Sequence, residues 1–247
     1  MNVLCLLLFI RSLSLFASAN LYGQPSLRIE KGMNFQLTSE QLLLDSLVMQ
    51  DSSVLLLDNR YSTNIIRVNF LSIGKYCMLI GSGKDGENGT DGKNGFDRSP
   101  GLDGKKGEIG FSAVNLVLSF SKLSLRYNFI INLSGGNGGV GGVGGIIEPS
   151  HETNVSWEGK STKSSPYEMR GANASGGDGG DGGDITIYYP IELNAAVKEK
   201  IKINTDAGIG GKPGIPTDLQ SPNPYPKEAK GISGANGTLN IIILKSE

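Results

Sequence analysis

The chain has 247 residues, and 36 of them are glycine, which is about twice the usual share in a globular protein. Its formal net charge is −1, so no basic surface indicates nucleic acid or anionic lipid as a partner. The length suits one domain or two small ones. Residues 1–19 predict a secretory signal peptide, because two apolar runs, Leu6–Ile10 and Leu13–Phe16, precede the small residues Ala17-Ser18-Ala19. We therefore expect a secreted, periplasmic or cell-surface protein without an integral membrane segment.

Residues 20–82 predict an N-terminal β module. Short apolar runs separated by turn residues are typical of closely spaced strands. Their spacing does not decide between a small solenoid and a curved sheet, and Leu42 to Leu44 could begin a helix instead. Cys77 lies among apolar residues, which predicts a buried thiol and neither a nucleophile nor a disulfide. The predicted strands are Gln41–Met49, Ser53–Leu57, Asn64–Ile73 and Tyr76–Ile80.

Glycine recurs at every third residue from Gly83 to Gly95, and again from Gly101 to Gly110. The stretch Gly-Lys-Asp-Gly-Glu-Asn-Gly-Thr-Asp-Gly-Lys-Asn-Gly resembles the Gly-X-Y repeats of bacterial collagen-like proteins. That resemblance implies a trimeric surface rod. A folded-back pair is the alternative, because the halves on either side of residues 96–100 have matching lengths and contain almost no proline.

Two further segments carry glycine at two of every three positions, residues 135–145 and residues 176–184. A period of three matches the polyproline-II helix, and its bare faces would let neighbouring backbones hydrogen-bond laterally. A flexible linker is the alternative. We expect Val140 and Val143 to face an apolar neighbour, and the aspartates of the second segment to face water. The glycines expected where two backbones touch are Gly136, Gly139, Gly142, Gly177, Gly180 and Gly183.

The order strand, glycine segment, loop, glycine segment, strand occurs three times, in residues 75–120, 123–189 and 200–244. The predicted fold is therefore mainly β with a polyglycine-II (polyproline-II-type) helix bundle over residues 83–247. A short-stranded β module would stand at one end, with the glycine segments and tip loops at the other. Further strands are predicted at Ala113–Phe120, Leu123–Leu133, Ile185–Tyr189, Lys200–Asn204 and Thr238–Leu244, with a turn near Ser121-Lys122 and a short helix over Pro190–Lys200.

This architecture resembles the glycine-rich tail-fibre-tip adhesins of certain bacteriophages, which implies recognition loops at the far tip. The corresponding loops here are residues 96–100, 146–170 and 215–230. We expect them to form a surface that binds a glycan or a surface protein, since exposed aromatic and basic side chains favour such contacts. The candidate binding residues are Phe96, Arg98, His151, Trp157, Tyr167, Arg170, Tyr225 and Lys227.

No set of residues predicts catalysis, a metal or a cofactor. His151 is the only histidine, so any Ser/His/Asp or Cys/His device would depend on it. Asp178, Asp181 and Asp184 would stand about 9 Å apart at three residues of polyproline-II rise, too far apart for one calcium ion. We therefore predict no enzyme. The alternative, a carbohydrate-active enzyme on a β-solenoid, would need clustered carboxylates on one sheet face. An ice-binding surface would need a regular Thr-rich face, which the Val and Asp rows do not form.

Overall fold

The computed structural model describes residues 25–96, 99–148, 171–215 and 229–245, so the predicted signal peptide lies outside the described residues. Two parallel sheets contain most of the strands in these ranges. Sheet A consists of β1 (Leu27–Ile29), β3 (Gln41–Met49), β5 (Thr63–Ile73), β8 (Asn115–Leu125), β11 (Ile185–Pro190) and β13 (Leu239–Leu244). Sheet B consists of β2 (Asn34–Gln36), β4 (Val54–Leu56), β6 (Met78–Ile80), β9 (Phe129–Asn132) and β12 (Ile201–Asn204).

The strands of the two sheets alternate along the chain, so that each strand of sheet B follows one of sheet A. Neighbours within a sheet are parallel, for example β5 with β8 and β6 with β9. This winding is that of a solenoid, the first of the two arrangements that the N-terminal sequence left open. β7 (Gly95–Phe96) and β10 (Ile147–Glu148) form a separate two-stranded parallel sheet.

One hydrophobic core lies between the two sheets. Along β11 the buried residues alternate with half-buried ones, and Ile185, Ile187 and Tyr189 point inward. The Tyr189 ring stacks on Phe120 with a centroid distance of 5.9 Å. Cys77 is also buried, and its Sγ lies 3.0 Å from the backbone oxygen of Gln50. Burial of these side chains away from water is the main force that holds the coils together.

The predicted fold class is wrong. The structure is a β-rich, two-sheet parallel fold with one short α-helix in its described part, and not a polyproline-II helix bundle. The sheets do not form a layer at one end either: sheet A runs through β5, β8, β11 and β13, across the predicted boundary at residue 83. The physical reason is that the apolar strands, and not the glycine repeats, supply the side chains of the core.

Two local predictions can also be compared with the structure. The turn predicted near Ser121-Lys122 is wrong, because β8 continues through both residues and keeps its pairing with β5 beyond them. Polar residues are tolerated there because both side chains are exposed. The short helix predicted after β11 is present as a 3-10 turn, Ile191–Leu193, followed by α1 (Asn194–Lys200). Val197 is the residue of α1 that reaches the core.

The glycine-rich segments occupy connections from sheet B to sheet A. We call these six segments the arms and number them in chain order, from the first to the sixth. No helix or strand is assigned within them, yet their backbones are hydrogen-bonded side by side. The first and second arms fold back on each other, since Lys105 N donates to Thr90 O and Glu108 N to Glu87 O. The arms comprise residues 83–94, 101–114, 134–146, 171–184, 205–215 and 229–238.

The six glycines singled out from the sequence are all buried within these contacts. A Cβ atom built on any of them would overlap a backbone carbonyl oxygen of a neighbouring arm. At Gly139 that oxygen belongs to Glu87, and at Gly180 it belongs to Phe111. Only a residue without a side chain permits the backbones to approach this closely.

Candidate functional site

Three connections, each of which joins one arm to the next, leave the arms near one end. Gly95 N donates to Ile146 O at 2.8 Å, which joins the start of the first connection to the start of the second. Gly171 N, where the second connection returns, donates to Gly145 O at 2.9 Å. The third connection begins after Gly214, whose N donates to Ala174 O at 2.9 Å. We call this part of the molecule the loop-bearing end.

Phe96 is the one predicted binding residue that the structure describes, and its side chain is 68% exposed. Leu102, Ile146 and Ile215 are also exposed at the loop-bearing end. Sequence reasoning missed Leu102; its position directly after the first loop was the available signal. The remaining predicted residues lie outside the described residues: Arg98, His151, Trp157, Tyr167, Arg170, Tyr225 and Lys227.

Asparagine and aspartate side chains hold the arms in register. On the first arm, Asp85, Asn88 and Asp91 each accept a hydrogen bond from a backbone N–H of the third arm through Oδ1, at 2.6–2.8 Å. The fourth arm repeats the arrangement toward the sixth: Asp178, Asp181 and Asp184 accept from Ile232, Ala235 and Thr238 at 2.7–2.8 Å. These bonds satisfy amides that the lateral backbone contacts leave free.

The expected roles of the side chains on these arms are only partly right. Asp181 and Asp184 are exposed as expected, whereas Asp178 is half-buried, and all three accept backbone hydrogen bonds. Val140 is 41% exposed, contrary to the expectation, and Val143 is half-buried. The closest contacts of the third arm with other arms lie at its buried glycines.

Asp184 makes the densest of these contacts. Both the hydroxyl and the backbone N–H of Thr238 donate to its Oδ1 at 2.7 Å. These donors hold the pKa of the Asp184 carboxyl below its ordinary value, with the hydroxyl as the larger cause. The bond joins the end of the fourth arm to the residue before β13.

We expect Asp184→Ala to lower the free energy of unfolding at neutral pH by about 1 kcal/mol, because Thr238 loses its acceptor. A carboxyl with a lowered pKa stabilises the fold above its unfolded-state pKa of about 3.9, and this contribution is lost as the pH falls through the folded-state value. The difference between the two proteins should therefore shrink below about pH 4. Urea unfolding at pH 7 and pH 3 measures it.

Asp184→Asn is the matched control, since it keeps the Oδ1 acceptor and cannot ionise. It should lie between the other two proteins at pH 7. A difference between Asp184→Ala and the parent that grows on acidification would contradict the role assigned to this carboxylate.

A shallow polar groove of about 510 Å³ lies where the arms meet sheet A, at the end of the arms away from the loops. Tyr61, Asn115, Asp181, Asp184 and Asn236 are among the residues that line it. Sequence reasoning treated the neighbourhood of Tyr61 only as a turn. The signal that could have marked it is the cluster of aromatic and charged residues between β4 and β5.

The loop before Tyr61 is fixed by an ion pair. The buried carboxylate of Asp58 lies 2.6 Å from Arg60 Nη2. The Arg60 hydrogen bonds hold the pKa of Asp58 below its ordinary value, and the same bonds raise the pKa of Arg60. Asn64, also buried, accepts from Asp58 N and donates to Asp58 O. The Asp58–Arg60 ion pair is part of the solenoid, and both residues line a second groove beside the first.

Among the described residues, no three His, Cys, Asp or Glu side chains are grouped so that they could hold a metal ion. In the same ranges no helix is long and apolar enough to cross a membrane.

Comparisons with known proteins add little to this description. No protein-family model matches the chain, and no curated protein matches it. Among solved structures, the chain has a weak likeness to a springtail antifreeze protein from Granisotoma rainieri, described as a nine polyproline type II helical bundle. The two are 18% identical, the match covers 65% of this chain and 95% of the other, and the TM-score is 0.16. A likeness at this level carries no argument about fold or function.

Proposed function

We propose that the protein is a secreted or cell-surface binding protein that presents recognition loops on a stiff glycine-rich layer. The observation that carries this proposal is that the three connections between arms begin and end beside one another at the loop-bearing end. Binding residues commonly lie on loops that a rigid scaffold positions. The expected partner is a glycan or a surface protein.

The stiffness of the layer supports the proposal. Each arm is tied to its neighbours through backbone N–H groups at every third residue, and the Asn and Asp side chains add a second set of bonds. A flexible linker would leave these groups to water and would not hold loops in a fixed relation. The arms are also anchored to strands at their other ends. The described residues from which the loops leave the arms are thereby held away from the strands of the core.

Exposed apolar side chains at the loop-bearing end also support it. Phe96, Leu102, Ile146 and Ile215 are exposed there although the core lies between the sheets. Apolar and aromatic side chains in such a position are typical of contact surfaces, where their burial by a partner is favourable.

Replacement of residues 149–170 and 216–228 by short Gly-Ser turns tests the proposal. The variant should keep the thermal unfolding midpoint of the parent, because the described arms and sheets contain none of these residues. It should lose binding on a glycan array and to cells. Phe96→Ala should weaken the same binding, since its side chain is exposed and β7 pairs with β10, which directly precedes residue 149.

The control is Tyr61→Ala, which alters the groove at the opposite end of the arms and should leave binding unchanged. Binding that survives removal of both loops would contradict the proposal. Binding that is lost in Tyr61→Ala alone would instead place the site in the polar groove.

A further inference from the structure

The last strand of sheet A lies at an open edge. β13 pairs with β11 on one side, and no described strand pairs with its other side. Sheet A has six strands and sheet B has five, so the described solenoid ends in a step at which β13 extends one strand beyond β12.

Because sheet B ends one strand earlier than sheet A, no described strand of sheet B lies opposite the inward-facing side chains of β13. Leu239, Ile241 and Ile243 are in register with Ile185, Ile187 and Tyr189, which are buried completely. The β13 residues themselves are exposed, with 38–49% of the surface of each leucine and isoleucine accessible. Side chains that continue the core pattern of the sheet therefore have no layer of sheet B opposite them in the described structure.

The edges at the opposite end of the solenoid differ from β13. The strands β1 and β2 are only three residues long, and they carry Arg28 and Gln36. Short length and polar side chains are the usual protection of an edge against pairing. β13 is six residues long and reads Leu-Asn-Ile-Ile-Ile-Leu, with no charge and no proline. It has neither form of protection.

We infer that β13 is an interface with a second copy of this chain, in a closed two-fold dimer. With a two-fold axis parallel to the strands, each copy's β13 enters the position beside the partner's β12. Both sheets then continue without a gap, and the inward-facing residues of each β13 become part of a shared core. The step at the end of the solenoid is thus complementary to itself, as an isologous interface requires.

The charges of this region favour a second copy as the occupant. Residues 231–244 contain no charged side chain, so Lys202 of each β12 would meet no like charge on the partner's β13. A head-to-tail stack, in which β13 of one copy meets β1 of the next, fits less well, because it would leave a gap in sheet B beside β12. Closure by a two-fold axis also ends the assembly at two chains.

The oligomeric state in solution tests the inference. Analytical ultracentrifugation of the purified protein should show a dimer, and Ile241→Lys and Ile243→Lys should each give a monomer. Ile109→Lys is the matched control, because Ile109 is the same residue type and is exposed but lies on the second arm. It should remain dimeric. Circular dichroism and the unfolding midpoint of the separated monomer show whether the lysine variants are folded.

A disulfide cross-link tests the interface even where a lysine variant does not fold. Ile242 and Lys202 occupy the outward faces of β13 and β12. The double variant Ile242→Cys/Lys202→Cys should form a covalent dimer on oxidation, whereas neither single variant should. A monomeric parent at its highest soluble concentration overturns the inference. So do open-ended polymers, or a cross-link in Ile242→Cys alone, which would indicate direct β13 to β13 pairing.

Discussion

Substitution of Gly139 by valine should abolish cooperative folding of the arms. A Cβ atom at this position overlaps the backbone oxygen of Glu87 on the first arm. Overpacking of side chains in a core costs about 1–3 kcal/mol, and a contact with backbone has less freedom to relax. We expect Gly139→Val to lower the free energy of unfolding by at least about 3 kcal/mol and the unfolding midpoint by roughly 6 °C or more.

The neighbouring position provides the control. Val140→Leu adds bulk to an exposed side chain of the same arm. It should change the free energy of unfolding by no more than about 0.5 kcal/mol. Hydrogen exchange locates the effect, since the amides of the first, second and third arms should lose protection together in Gly139→Val. Unaltered exchange in these arms would show that the close approach at Gly139 does not hold them in place.

Phe120→Ala should destabilise the solenoid by about 3–5 kcal/mol. The ring is 1% exposed, lies on β8 between the two sheets, and stacks on Tyr189 of β11. Removing it leaves a cavity that the surrounding strands cannot close, because they are held in register on both sides. For a chain of this size the unfolding midpoint should fall by roughly 10 °C, as measured by scanning calorimetry.

Phe70→Ala is the matched control on the neighbouring strand. Phe70 is 38% exposed and lies opposite Lys122 of β8, so its loss should cost roughly a third of the effect or less. Equal destabilisation by the two substitutions would mean that the core between the sheets is not the main source of stability. It would also undermine the reason given for the two-sheet fold.

The sequence alone determined where the local elements lie. Alternating apolar residues predicted β3, β5 and β11 with nearly the observed ends, because the faces of a strand repeat every two residues. The apolar setting of Cys77 predicted a buried thiol, and the structure buries it. The six glycines marked from their period all lie where a side chain would meet another backbone. These are properties of a residue and its near neighbours.

Tertiary structure alone decided how the elements are assembled. Residues 75–120 looked like one of three equivalent units, yet β5 and β8 pair along their lengths and merge the N-terminal strands with the rest into one sheet. Pairing between strands that are 52 residues apart depends on which apolar faces meet in the core, and a local period contains no such information. The carboxylate of Asp184 likewise looked like a solvated charge until the fold brought Thr238 beside it. Its partner is 54 residues away, and only the stacking of the arms fixes that distance.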